Sequence, residues 1–382
     1  MVDSREIKEF KLGVPGESPE RPFVIFALFL DRTVGDFAGQ NVFAASVKRL
    51  FRYAKLFCYY RNDRPYKTDI IFMNPYIDRA IVGSDPNVGL LSDYFDQSWQ
   101  PPFSLSMPIW VENGMSRPDL LLTPSMMDLS CIQTFPNIGY LSITGDRAAR
   151  DQQRLVDLGL DPNRWFCCIH YREITYEFRA YHSARNVSHV PFQDVTNFII
   201  DKLGGQVVRL GHVGMQAFQQ RPGLIDLTLV ADSFSVQAFA FSRAKFNLAS
   251  CSGMNALSAM LGTPIARVDV VDLGDVNNDH DIVLLQHLFD ANGRRVPLDE
   301  ALELGLYHTN SEGHLRPGYR FMENTSAELM RCAKIMYDST QDCPAWREHV
   351  VSHVENPVGS FSIPRERKSL YRIVDFPDLA PT

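Results

Sequence analysis

A chain of 382 residues is too long for one ordinary core, because domains cluster near roughly 100–150 residues and single cores rarely exceed about 250–300, so two domains are expected. With 45% hydrophobic and 22% charged residues and no low-complexity tract or fixed-period repeat, the composition is that of a globular protein able to bury a large core. A net charge of -7 and a pI near 5.8 argue against a general nucleic-acid binder, whose domain shows a basic face and a pI above about 9.

The N-terminal stretch MVDSREIKEFKLGVPGESPERP is polar and has no apolar core of the kind a signal peptide needs. FVIFALFLD (23–31) follows, a continuous apolar run ended by charge, which reads as a buried parallel strand and is far shorter than the roughly 20 residues that cross a bilayer. After RTVGDFAGQ, the segment NVFAASVKRLFRYA carries apolar residues at helical spacing, LFCYY reads as a strand, and DIIFM reads as a further strand-like run. This rhythm suggests a doubly wound sheet. From about 85 to 145, proline-rich pieces such as QPPFSLSMP and SRPDLLLTP break the pattern into short elements that no periodicity assigns. DRAARDQQRLVDLGLDPNRW then gives a charged helix ending at Gly159, with LGLDP as an interdomain linker.

The second half alternates clearly. WFCCIHYRE (165–173) is a strand leading into a long aromatic and basic loop, VPFQDVTNFIIDKLGG is a helix stopped by Gly204 and Gly205, and QVVRLGH is a strand. LIDLTLV, a helical SVQAFAFSRA, the strand KFNLAS, the helix GMNALSAMLG and the strand PIARVDV follow. Such alternation means parallel strands joined by crossovers, with ligands at the carboxyl ends of the strands. Residues 326–337 form the last strong helix, introduced by ENT, where Thr325 and Glu328 have the spacing of a capping box. The seven cysteines include no CxxC pair, and adjacent Cys167 and Cys168 lie in a strand, so reduced, buried thiols are expected and the cytoplasm is the expected compartment.

Several positions could carry chemistry. Ser252-Gly253 stands where a strand ends and a helix begins; unpaired first-turn amides and the helix dipole favour an anion there, although Ser and Gly serve equally as a plain helix cap. Strand alternation puts His170 and Arg172 on one side at the end of their strand, and Arg209 and His212 close the strand QVVRLGH. Two basic strand ends beside a Ser-Gly helix start suggest an anion pocket. The loop REITYEFRAYHSARNVSHV adds Arg179, His182, Arg185 and His189 and is too long for a simple connector. Glu323 and Asn324 could reach sugar or ribose hydroxyls, or could merely cap the ENT helix. In the first half, Asp36 after Gly35, with Gln40 a turn on, is a general-base candidate or a helix cap.

Other signals are set aside. Asp279-His280-Asp281 follows a polar VNN and reads as a solvated acidic loop; His349 and His353 lack the glutamate of HExxH. There is no GxxxxGK[ST] loop, no GxGxxG after a strand and no GxSxG elbow, so Ser252 is a poor candidate for a hydrolase nucleophile.

WFCCIHYRE, GGQVVRLGH, LIDL, KFNLASCSGMNALSAMLGTP, VPLDEALELG and GYRFMENTSAELM, in that order over roughly residues 160–340, resemble a family of bacterial glycosyltransferases of the GT-B type. The resemblance implies an α/β fold of two Rossmann-like domains facing across a cleft: an acceptor-side domain over 1–160, a donor-side domain over 161–345 and a C-terminal extension over 346–382. It implies that His170, Arg172, Arg209, His212, Ser252, Gly253 and Asn255 surround the diphosphate of a nucleotide-sugar donor, with Glu323, Asn324 and Thr325 matching the ENT segment; His212 stands where the family usually has an acidic residue. Transfer of a sugar to a hydroxyl of a glycan, lipid-linked saccharide or surface polysaccharide follows, with arginines and the helix start neutralising the departing diphosphate, no metal required and Asp36 as base. The resemblance further implies no cofactor beyond the donor substrate, while charge, the short apolar runs and the cysteines lead one to expect no nucleic-acid partner, no transmembrane segment and a cytoplasmic place of action, peripheral to the inner membrane at most. A nucleotide-sugar epimerase on the same scaffold, or a non-catalytic carbohydrate- or nucleotide-binding subunit of a polysaccharide assembly, are the alternatives.

Overall fold

A computed structural model of the chain describes residues 18–31, 33–83, 109–111, 114–116, 118–127, 138–173, 184–273, 281–307, 318–341, 372–376 and 378–379. The chain divides into two compact units, Met1–Ser142 and Ile143–Thr382, each built on a parallel sheet.

In the first unit, β1 (Phe23–Phe29) lies between β2 (Ala54–Tyr60) and the short β6 (Leu120–Leu122), with β3 (Arg79–Val82) outside β2, all parallel. A central parallel strand is covered on both faces, which is why FVIFALF is apolar without alternation. β4 (Ile109–Val111) and β5 (Gly114–Ser116) form a separate antiparallel pair. Helix α1 (Val34–Leu50) begins in the middle of RTVGDFAGQ, well before the NVFAAS run that periodicity marks. Gly35, Ala38 and Gly39 are buried on it, so the glycines that weaken a helix by about 1 kcal/mol each here give it a slim buried face. Gly139 meets the same helix: its amide donates to Ser46 Oγ at 2.9 Å, and a Cβ there would stand 2.8 Å from Ser46 N. Gly139→Ala is therefore expected to lower stability by about 1–3 kcal/mol in urea melts, since rigid backbone faces the new methyl.

DIIFM is not a strand. It closes α2 (Pro65–Met73), whose first turn is preset by Pro65, and Ile70, Ile71 and Met73 are buried while Phe72 is 71% exposed. A four-residue apolar run has no period of its own, and the proline five residues upstream settles which element it joins.

The second unit opens with α3 (Gly145–Asp157), the charged helix expected from sequence. The LGLDP stretch after it also belongs to this unit: Leu160 is buried and the Asp161 amide donates to Gln206 Oε1 at 2.8 Å. Then come β7 (Phe166–His170), α4 (His189–Lys202), β8 (Gln206–Arg209), β9 (Leu224–Asp226), α5 (Phe234–Arg243), β10 (Asn247–Ala249), α6 (Gly253–Met260) and β11 (Ile265–Val270), close to the order read from sequence. The chain continues through β12 (Ile282–Leu285), β13 (His287–Phe289), α7 (Leu298–Glu303), β14 (Arg320–Met322), α8 (Ser326–Ser339) and β15 (Arg372–Val374). The sheet runs β15-β12-β11-β10-β7-β8-β9 and is parallel throughout, with β13 and β14 a small antiparallel pair. A core of Ile169, Tyr171, Phe192, Leu248, Val268 and Leu329 joins sheet to α4 and α8. β15 shows that part of the C-terminal extension completes this sheet.

The five described cysteines, 58, 167, 168, 251 and 332, are buried and form no disulfide, and burial pushes the thiols of Cys58, Cys167 and Cys168 far up, so none of these three is a ready nucleophile. Asp281 is not solvated: it lies buried with its carboxylate on Arg267 Nε at 2.5 Å. Asp279, His280, His349, His353, Arg179 and His182 lie outside the described residues. Among the described residues, no helix is long and apolar enough to cross a membrane.

Candidate functional site

In a parallel sheet every strand delivers its carboxyl end to the same edge, where ligands bind. Here that edge gathers the ends of β7, β8 and β10. β10 is in register with β7 so that Ala249 faces His170, and β8 is in register on the other side with Arg209 opposite Ile169. Ser250, unremarkable in the sequence and fully buried, ties the edge together. Its amide donates to the His170 carbonyl at 3.1 Å, its hydroxyl accepts the Arg172 amide at 3.0 Å, and its carbonyl accepts Asn255 Nδ2 at 2.6 Å.

His170 ends β7 in a buried position, with a ring Nδ1 that has no partner. Burial, reinforced by His212 and the Arg209 and Arg172 guanidiniums, pushes its pKa down to about 3. It is thus a neutral imidazole at any physiological pH and can donate a hydrogen bond without carrying charge. Tyr171 turns the other way into the core, stacked on Phe192 and Phe218, which leaves half-buried Arg172 next along the edge. His212 is half-buried; its pKa is lowered chiefly by burial, with Glu173 opposing and Arg209 assisting.

Arg209 does not join this edge. Residues paired across parallel strands point to one side, and its partner Ile169 belongs to the core face with Tyr171. Its guanidinium is completely buried, donating to Asp226 Oδ2 at 2.9 Å, the Tyr171 hydroxyl at 2.6 Å and the Gln216 carbonyl at 2.6 Å, and lies 3.9 Å from the Phe218 ring centroid. The expectation that it lines a diphosphate pocket fails because one residue of register separates it from His170's face.

At the start of α6 Ser252 is a helix cap, one of its two sequence readings. Its Oγ accepts the Met254 amide at 3.3 Å, a helix cap, and its carbonyl accepts the Asn255 amide at 3.0 Å. Gly253, half-buried and without a side chain, is left as the first-turn position whose amide a ligand can approach. Asn255 is buried with Nδ2 committed to Ser250, so its Oδ1 faces away from that carbonyl and has no partner.

The ENT segment is mainly structural. Thr325 and Glu328 form the capping box. Asn324, buried, exchanges two hydrogen bonds of 2.7 Å with Asp269, one from each backbone amide to the other's side-chain oxygen, and gives Nδ2 to the Leu285 carbonyl at 2.9 Å. Glu323 accepts the Ser188 amide at 2.8 Å, capping the turn into α4. These contacts engage the polar atoms that a sugar would need from Asn324. In the first unit, Asp36 lies in the first turn of α1, one turn past the true cap: Thr33 Oγ accepts the Asp36 amide and donates to Asp36 Oδ2 at 2.5 Å. Gln40, buried, donates to Asp31. Thr33 and Ser250 are the functional candidates that sequence reading missed; only Thr33, three residues before Asp36, carried a signal, that of an N-cap.

No protein-family model and no curated protein matches the chain. Solved structures do. The glycosyl transferase family 9 protein of Veillonella parvula matches with a TM-score of 0.50 at 12% identity, over 82% of this chain and 96% of its own. The ADP-heptose LPS heptosyltransferase II of E. coli matches with a TM-score of 0.51 at 10% identity, over 83% of this chain and 99% of its own. At these identities the likeness carries the fold, an α/β architecture with parallel sheets of the kind found in GT-B glycosyltransferases, as the sequence led one to expect.

Proposed function

We propose that this chain is a glycosyltransferase that moves a sugar from a nucleotide-sugar donor to a hydroxyl of a glycan or surface-polysaccharide acceptor. The observation that carries the reading is the edge where the unpartnered Nδ1 of neutral His170, the Arg172 side and the start of α6 meet. Both structural relatives bear glycosyltransferase names, and that of the E. coli enzyme includes the donor ADP-heptose, which supports the donor class.

In this proposal negative charge grows on the nucleoside diphosphate as the glycosidic bond breaks, and the edge meets it with the Arg172 cation, the Gly253 amide at a positive helix end, and an Nδ1–H from His170. Because His170 is already neutral and dry, its donation needs no proton uptake. With Arg209 committed to the core, Arg172 is the cation that the described strand ends supply in this proposal. Asp36, held by Thr33, accepts the proton of the acceptor hydroxyl in the same proposal. Metal-free neutralisation of the leaving group and a cytoplasmic place of action, peripheral to a membrane at most, belong to this reading.

Calorimetric titration with UDP, GDP, CDP, ADP and CMP tests it. One nucleoside diphosphate is expected to bind, and Arg172→Ala should weaken it roughly 10- to 100-fold, the worth of a charge-assisted contact of about 1.5–3 kcal/mol. Release of free diphosphate from the sugar donor should require an acceptor. A protein that binds no member of the panel is not a nucleotide-sugar enzyme.

A further inference from the structure

Between β8 and β9 the chain crosses the carboxyl edge, and buried side chains grip it at two points. Gln237 of α5 meets Gly211 on both backbone groups: the Gly211 amide donates to Oε1 at 3.0 Å, and Nε2 donates to the Gly211 carbonyl at 2.8 Å. Nε2 also donates to Ser233 Oγ at 2.7 Å, which fixes the amide's orientation. Gln216 is gripped in the same two-sided way, its amide donating to Glu173 Oε1 at 2.9 Å and its carbonyl accepting Arg209 Nη2 at 2.6 Å. All three gripping side chains are buried.

The chain between the grips carries half-buried His212 and exposed Val213 and Gly214. Gly211 itself sits at φ +152, where a Cβ would run into Met215 Sδ, so the base of the loop closes tightly under its tip. A surface connector does not need four hydrogen bonds from three buried side chains. A rigid recognition element does, because any play in it costs affinity.

We propose that Gln237, Arg209 and Glu173 are positioning residues that hold the His212–Val213 tip rigid beside His170, as the wall against which the nucleoside of the donor lies. This rests on the nucleotide-sugar reading above. The tip offers an imidazole with hydrogen-bonding nitrogens next to an exposed valine, a pairing suited to a flat base and its ribose. The diphosphate is left to the other side of the edge, where Arg172 and the start of α6 stand.

The experiment compares two probes on the full chain: the best nucleoside diphosphate of the panel and inorganic pyrophosphate. Gln237→Leu is expected to weaken the nucleoside diphosphate about tenfold and leave pyrophosphate affinity unchanged, a split that general loosening would not produce. His212→Ala, which touches only the tip, should give the same split with an unaltered melting temperature, and stands in if Gln237→Leu fails to fold. Equal loss for both probes, or wild-type affinity for the nucleotide in both variants, overturns the proposal. Wild-type protein that binds a nucleoside diphosphate while both variants bind it equally well refutes the nucleoside wall alone; protein that binds no nucleotide refutes the transferase reading as well.

Discussion

Arg209→Met should destabilise the second unit by about 3–5 kcal/mol, the cost of leaving one member of a buried ion pair without its partner. Asp226 is the member left behind, with a side chain 1% exposed. It keeps the Thr228 amide and hydroxyl at 3.0 and 2.6 Å, yet these neutral donors do not balance its charge. The Gln216 carbonyl and the Tyr171 hydroxyl lose a donor at the same time, and the flat face over Phe218 loses its cation. Adding Asp226→Asn to Arg209→Met should recover a large part of the loss, because the uncompensated charge goes while the acceptor for Thr228 stays. Urea unfolding curves of the single and double variants measure both effects. If Arg209→Met unfolds like wild type and weakens the binding of pyrophosphate, the guanidinium belongs to the diphosphate after all.

That arginine marks the boundary of what the sequence discloses. The elements of the second unit are legible because continuous apolar runs such as FCCI alternate with helices long enough to show a period and caps strong enough to be read, Thr325 with Glu328 above all. That the parallel strands share one carboxyl edge, the expected place for a ligand, follows from the same alternation. Which side chains reach it does not, because that depends on register between strands, and a one-residue offset reverses a side chain's face. Arg209 and His170 each end a strand, and only the pairing of Ile169 with Arg209 shows that they point to opposite sides. Asn324 fails for another reason: its partner, Asp269, lies 55 residues earlier, and nothing local announces the exchange of hydrogen bonds that occupies it. In the first unit, a helix that starts on Gly35 and Gly39 defeats a reading by propensity, since burial against neighbours outweighs a weak intrinsic preference.

Asp269 should make the protein lose stability as pH rises from about 4 to 8, and Asp269→Asn should abolish much of that slope. The residue is buried at the end of β11, and removal from water, aided by Glu323 and Glu328 nearby, drives its carboxyl from an ordinary 3.8 up to about 8, against the opposing hydrogen bond from the Asn324 amide. Nearby, His287 is hydrogen-bonded to Glu328 rather than to Asp269. An unfolded chain ionises this carboxyl near its ordinary value, so above about pH 4 it binds fewer protons than the native state and stability falls; once the native group also ionises, near pH 8, the curve levels. The total change is on the order of a few kcal/mol. Asparagine keeps an Oδ1 to accept the Asn324 amide and carries no charge to desolvate. It also tolerates the left-handed backbone, φ +53, that Asp269 adopts, whereas Asp269→Val would add about 1–3 kcal/mol of strain at every pH. Urea melts at pH 5 and pH 8 separate the two: the asparagine variant should gain on wild type only at the higher pH, and the valine variant should lose at both. Parallel stability curves for wild type and Asp269→Asn across this range would mean that the carboxyl is ionised in the native state and that the surrounding network supplies a counter-charge from elsewhere.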